Sequence, residues 1–363
     1  MPLSGIAKSF HVHISIAGCV FFVLKNILGG EINLKRLSNY ILMLLVTVGL
    51  LVGCAGNENS SQPEENKNED HTKTDETQVQ EGTTYPLTVE DSAGNKVFLE
   101  EDPERIVSLI PSNTEIVFAV GAGEQVVGVS DHDNYPEQVK EINKVGGMQM
   151  NTEKVLSLKP DLVLAHGSSA HNSQAAIDQI SNAGISVYVV KNASDFKGVY
   201  ETIQSIGKLV DEQKKAESIV AGMKKKLKGI KEKASEIKDP KSVFVEVSPA
   251  PEIYTTGTGT FMNQMLQAIN AENAAVNQQG WVKMNEEAII NLQPDVIITT
   301  YGYYTEKPVE KVLSREGWEQ VPAIEKKQVY DVHSDLVTRA GPRLIEGVER
   351  LAEAVYPETF GDE

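Results

Sequence analysis

Apolar residues recur along this chain in two rhythms. Short aliphatic runs at Ile106-Val107-Ser108-Leu109-Ile110, Val126 to Ser130, Leu162 to Ala165 and Val187 to Val190 are too short for helices. They have the make-up of strands buried on both faces, as do Val243 to Val247, Val296 to Thr299 and Val329 to Val332. Tyr85 to Leu99 alternates instead around Ser92-Ala93-Gly94-Asn95, which predicts a hairpin. From Ser194 to about Lys238 the spacing changes to three and four, through Val199, Ile203, Ile206 and Val210, then Ile219, Met223, Leu227 and Ile230. That stripe predicts one long linking helix with a lysine-rich, solvated outer face. The fold class that follows is α/β: two Rossmann-like lobes, residues 85–193 and 239–363, joined by one long α-helix over 194–238, with the ligand cleft between the lobes.

A repeat supports the two lobes. Asn151-Thr152-Glu153-Lys154-Val155-Leu156-Ser157-Leu158-Lys159-Pro160-Asp161-Leu162-Val163-Leu164 aligns without a gap on residues 285–298, at a distance of 134 residues. Five of the fourteen pairs are identical and five more exchange one aliphatic residue for another. In each copy an Asn suits a helix cap, a Glu in the first turn suits the helix dipole, and Pro-Asp ends the helix before a buried strand.

The N-terminal quarter has a different grammar. Lys35-Arg36, the apolar run Tyr40 to Val52 and Leu51-Val52-Gly53-Cys54-Ala55 have the form of an export signal, so residues 1–53 form the signal region. Leu-x-Gly-Cys resembles a bacterial lipoprotein signal, which implies cleavage before Cys54 and lipidation of its thiol; the alternative is a retained membrane span, for which thirteen residues are short. A second apolar stretch, Val12 to Leu28, precedes this complete signal. One reading is that residues 1–33 are not translated, with Gly29-Gly30-Glu31 reflecting a purine-rich ribosome-binding sequence and Leu34 a TTG start. Residues 54–84 carry eight acidic and two basic side chains and almost no large apolar one, so they form a solvated, self-repelling tether.

Charge and cysteine content narrow the chemistry. A net charge of −17 without a basic cluster argues against nucleic acid as a partner. Cys19 and Cys54 are the only cysteines, which leaves no C-x-x-C pair and no cofactor to propose. No H-E-x-x-H, G-x-S-x-G or Walker loop is present, so the chain is not read as an enzyme. Gly257-Thr258-Gly259-Thr260-Phe261 lacks the third glycine of a dinucleotide fingerprint and reads as a strand-to-helix turn lining the cleft. The rival to a chelate binder is a zinc-type metal-ion binder using His132, His166, His171 and His333 with Asp131 or Asp133, although no pair has diagnostic spacing.

Taken in order, Arg105 to Glu115, Asp133-Asn134-Tyr135-Pro136, the two Pro-Asp repeats, the long helix and Arg339-Ala340-Gly341-Pro342-Arg343 resemble substrate-binding proteins of ABC importers. The resemblance covers about residues 85 to 357 and is to the group joined by a single long helix, which binds siderophores, haem and cobalamin. It implies a monomeric binder, lipid-anchored through Cys54 on the extracytoplasmic face, which delivers a bulky chelate to a permease and its ATPase. The long tether suits the thick wall of a Gram-positive bacterium. The resemblance further implies that Glu153 and Glu287, six residues after Gly147 and Trp281, dock onto the permease. Within the group the cobalamin binders are the most similar. Their pattern implies ligand contacts from Ser112, Asn113, Tyr135, Met148 and Gln149 on lobe one and from Tyr254, Trp281, Asp335 and Arg339 on lobe two. The chain departs from that pattern at Gly147, where the cobalamin binders carry tryptophan, so a ferric siderophore or haem stays open as the cargo.

Overall fold

The computed structural model describes residues 82–361. The signal region, Cys54 and the tether up to residue 81 lie outside the described residues. The chain enters the body at Thr83, whose hydroxyl donates to the Lys208 carbonyl (2.9 Å) and accepts from the Gln213 amide (2.8 Å). The body therefore begins just ahead of Tyr85.

The first lobe opens with the antiparallel hairpin β1 (Leu87–Glu90) and β2 (Lys96–Leu99). Asp91 closes its turn by accepting from the Ala93 and Asn95 N–H groups at 2.9 and 2.8 Å. A five-stranded parallel sheet follows, built from β3 (Ile106–Ser108), β4 (Val126–Val129), β5 (Asn143–Lys144), β6 (Leu162–His166) and β7 (Ser186–Val190) in the order β5-β4-β3-β6-β7. Helices α1 (Pro111–Val120), α2 (Thr152–Ser157), α3 (Gln174–Asn182) and α4 (Phe196–Leu209) cover its two faces. Its central strands are buried throughout because helices pack on both sides.

After α5 (Gln213–Ala234) the second lobe repeats this plan. Strands β8 (Ser242–Glu246), β10 (Glu272–Asn273), β12 (Val296–Thr299) and β13 (Val329–Asp331) form a parallel sheet in the order β10-β8-β12-β13. A small antiparallel ladder of β9 (Tyr254–Thr256) with β11 (Trp281–Lys283) stands beside it. The lobe's longer helices are α6 (Phe261–Ala268), α7 (Glu286–Leu292), α8 (Pro308–Leu313), α9 (Ser334–Thr338) and α10 (Leu344–Val355).

The sequence repeat is a repeat of hydrogen bonds. Asn151 and Asn285 cap α2 and α7 by accepting from Lys154 N and Ala288 N at 2.9 and 2.8 Å. Lys159 and Gln293, each just before its proline, take left-handed φ values of 46° and 48° and turn the chain out of the helix. The following aspartates accept from the start of a neighbouring strand, Asp161 from Arg105 N (2.9 Å) and Asp295 from Ser242 N (3.0 Å). Pro-Asp thus stops a helix and pins the next strand beside its neighbour.

The single helix expected over 194–238 is two helices. Asp211 adopts a left-handed φ of 53°, and Glu212 N donates back to Gly207 O at 2.8 Å, which ends α4 and starts α5 on a new axis. Gly207 permits the tight crossing, since a Cβ there would meet the Ala216 Cβ at 2.5 Å. Helix α4 belongs to lobe one. The 22 residues of α5, about 33 Å of helix, are the link, packed on α1, α4, α6 and α10. Its buried stripe is Ala216, Val220, Met223, Leu227, Ile230 and Ala234.

Candidate functional site: the cleft between the lobes

In parallel α/β sheets ligands bind beyond the carboxyl ends of the strands, and here the ends of the lobe-one strands face the turn into α6 of lobe two across one cleft. On lobe one, β3 turns through Ile110 and Pro111 into α1; on lobe two, Gly259 and Thr260 turn into α6. Thr260 fixes the second turn by donating to Gly257 O (2.8 Å) and accepting from Asn263 N (3.2 Å). The cavity between them measures about 540 Å³ and is lined by Ser112, His166 and Asn192 from one side and Thr260, Phe261 and Trp281 from the other. A smaller cavity of about 180 Å³ on lobe one is lined by His132, Gly147, Met148 and Met150. A further cavity, about 560 Å³, lies among α1, α5 and the start of α10. It faces helix sides rather than strand ends, so the cleft is the better ligand site despite being slightly smaller.

An ionic cluster joins the lobes between the cleft, which Arg339 lines, and the cavity beside α5, which Glu115 and Arg343 line. Glu115, buried on α1, accepts from Arg339 Nη1 (2.8 Å), Arg343 Nε (2.9 Å) and Arg343 Nη2 (2.7 Å). Arg339 also donates to Asn134 Oδ1 (2.7 Å) and pairs with Asp335 (2.9 Å), while Asn134 Nδ2 donates to Asp335 Oδ2 (2.9 Å). The Arg343 guanidinium lies 3.9 Å from the Tyr135 ring centroid. Charge-assisted, partly bidentate contacts of this kind are among the stronger hydrogen bonds available to a protein.

The cluster also sets the electrostatics of the cleft. Among the residues lining the cleft cavity, only His166 and Arg339 are ionisable. Burial lowers the His166 pKa to about 4, so its ring is neutral at pH 7. Arg339 is paired with Glu115 and Asp335. What the cleft presents is aromatic surface, hydroxyls and an amide without uncompensated charge.

The residues expected at the site divide into groups. Ser112, Trp281 and Arg339 line the cleft, and Met148, 95% exposed, stands at the smaller lobe-one cavity. Asp335 sits in the interlobe cluster, at the lobe boundary. Four other expected contacts lie off the cleft cavity. Asn113 is fully buried beneath the cleft, where its amide clasps the Leu164 and Ala165 carbonyls at 3.4 and 3.0 Å. Tyr135 lines the cavity beside α5, because the Arg343 guanidinium holds its ring on that side. Gln149 is exposed in the turn after Gly146 and lines none of these cavities. Tyr254, half-exposed on β9 opposite Lys283, belongs to the ladder that carries Trp281 but lines none of the three cavities either. Glu153 and Glu287 stand exposed in the first turns of α2 and α7, and neighbouring Glu286 accepts from the buried Trp318 indole at 2.9 Å.

Sequence reasoning missed Glu115, Arg343 and Asn134 as interlobe partners. It also missed Tyr303 and Tyr304, exposed and packed edge to face at 4.7 Å, with Tyr303 5.8 Å from His333. Tyr301-Gly302-Tyr303-Tyr304 directly after a strand was the available signal. Of the histidines considered for a metal site, His166 bonds Ser168 Oγ (2.8 Å) and His333 accepts from Asp335 N (3.2 Å). The side chain of His171 lies outside the described residues. Among the described residues no three His, Cys, Asp or Glu side chains form a metal-holding group.

Two α/β lobes joined by a linking helix, with a cleft between them, have the architecture of a solute-binding protein. The family model for periplasmic binding proteins matches residues 106–336. The uncharacterised ABC transporter substrate-binding lipoprotein YvrC of Bacillus subtilis is 50% identical over 328 residues, covering 90% of this chain and 99% of that protein. A cobalamin-binding protein of Halobacterium salinarum is 27% identical over 286 residues, 76% of each chain. Among solved structures, a possible iron-binding periplasmic solute-binding protein from Staphylococcus epidermidis superposes with a TM-score of 0.64 at 36% identity, covering 70% of this chain and 100% of that one. The chain belongs to the periplasmic binding protein family.

Proposed function

We propose that this protein is the extracytoplasmic binding component of an ABC importer, anchored to the membrane by lipid on Cys54, and that its cargo is cobalamin or another corrinoid. The observation that carries the cargo assignment is the charge-compensated cleft. A corrinoid presents broad apolar faces and a rim of neutral amides, which aromatic, hydroxyl and amide groups match. Haem brings two carboxylates and many ferric siderophores are anionic; burying such groups without an uncompensated cation is costly. The cobalamin-binding relative at 27% identity supports the same cargo, and the lipoprotein relative at 50% supports the anchor. Ser112, Trp281 and Arg339 are the proposed cleft contacts, with Met148, Tyr254 and Asp335 at its margin.

Docking is the second half of the proposal. Glu153 and Glu287 occupy matched positions on the two lobes, so a permease carrying two arginine sites engages both at once. The test of the cargo is direct: the protein binds cyanocobalamin stoichiometrically and in preference to hemin. Preference for hemin or for a ferric siderophore overturns the assignment.

A further inference from the structure

We propose that the outer face of α5 rests on the anionic phospholipid surface to which the protein is anchored; this rests on the lipid anchor at Cys54. Eight of the 22 residues of α5 are lysine and two are glutamate, a surplus of six positive charges in a chain whose net charge is −17. A solvated helix face is ordinarily laced with acidic partners three or four residues from its lysines. Here Lys226 pairs with Glu349 and Lys228 with Glu232, each at 3.5 Å, while the side chains of Lys215 and Lys225 have no partner among the described residues.

The shape of the face is the second observation. At 3.6 residues per turn, Ser218, Ala221, Lys225 and Gly229 fall opposite the buried stripe of Ala216, Val220, Met223 and Leu227, and all four are exposed. Gly222 and Gly229 are costly residues in a helix interior, yet a Cβ at either would meet nothing within 4 Å, so packing inside the body does not require them. With Ser218 and Ala221 they leave the backbone bare between the lysines. A broad surface can therefore approach the helix while the long lysine stems carry their charge out to its phosphates.

The point at which the chain enters the body lies on this helix. The Thr83 hydroxyl accepts from the amide of Gln213, the first residue of α5, at 2.8 Å, and the Tyr85 hydroxyl donates to Leu209 O at the end of α4 at 3.1 Å. Attachment there turns a weak charge attraction into a nearly intramolecular one. Basic clusters held close to a membrane are drawn to anionic headgroups over about one Debye length. No residue of α5 lines the cleft or the small lobe-one cavity, so cargo loading and surface contact do not compete.

The test uses the processed lipoprotein reconstituted in phosphatidylcholine vesicles, with or without roughly one-third phosphatidylglycerol, that carry a headgroup-labelled acceptor lipid. With Cys54 acylated, Ser218→Cys supplies a free thiol on the helix face for a donor dye. Energy transfer should be about twofold or more higher on the anionic vesicles. It should fall as salt rises from about 0.1 M to about 1 M and the Debye length shrinks from about 10 Å to about 3 Å. Lys215→Gln combined with Lys225→Gln and Lys228→Gln should remove the difference between the vesicles while the urea midpoint stays that of the parent. Equal transfer on the two vesicle types, or a difference that survives high salt or the lysine substitutions, overturns the proposal and leaves the anchor standing. Shielding of the dye by added poly(glycerol phosphate), with no response to anionic lipid, overturns it in favour of a wall polymer. Release of the protein from phosphatidylcholine vesicles at high salt overturns the anchor reading and the proposal together.

Discussion

Glu115, 1% exposed, is shared by two guanidinium groups of the other lobe. Glu115→Gln strands those charges in a partly buried site, and the expected cost is about 3 kcal/mol, read as a fall in the urea midpoint. The same change frees positive charge on Arg339 at the cleft wall, so hemin should gain affinity relative to cyanocobalamin; an unchanged ratio would separate the cluster from selectivity. His166 makes a pH prediction. Its folded-state pKa of about 4 lies below the ordinary 6.5, so between those values the unfolded chain binds the extra proton. Its contribution, on the order of 3 kcal/mol, is fully present above pH 6.5 and is lost as the pH falls to about 4. His166→Asn should flatten the stability profile across that window; a profile as steep as wild type would place the titrating group elsewhere.

At the scale of elements, the two Pro-Asp repeats put equivalent helices on the two lobes, each with an exposed glutamate in its first turn. Charge reversal at both, Glu153→Arg with Glu287→Arg, should abolish corrinoid uptake by cells while the purified protein keeps its cargo affinity within about twofold. Uptake at the wild-type rate would refute docking through these residues. The longer parallel strands and the repeats were legible because buried parallel strands leave aliphatic runs and Pro-Asp leaves a fixed signature; the two- and three-residue strands β5, β9, β10 and β11 leave no such run. The break between α4 and α5 was not, because no Gly or Pro marks residues 210–212 and the three-and-four spacing runs up to the break and resumes beyond it. The Glu115–Arg339 pair spans 224 residues, a separation at which no local pattern announces a partner. The surroundings of Asn113 and Tyr135 were not legible for a related reason: a motif gives position along the chain, whereas Leu164 and Arg343, far away in sequence, decide which way each side chain faces.

The full chain carries a net charge of −17, yet the cleft between the lobes is locally compensated. Both features disfavour an anionic chelate and fit a cargo recognised by flat apolar faces and amide hydrogen bonds. Trp281 is half-exposed at the cleft and Trp318 is fully buried in lobe two, so fluorescence change on cargo binding should come mainly from Trp281. The most direct test is therefore an equilibrium titration of the protein with cyanocobalamin, following tryptophan fluorescence, with hemin as competitor. Saturable one-to-one quenching that survives excess hemin and is lost in Trp281→Ala is the predicted result. No quenching by cyanocobalamin, together with tight binding of hemin, would contradict the corrinoid assignment.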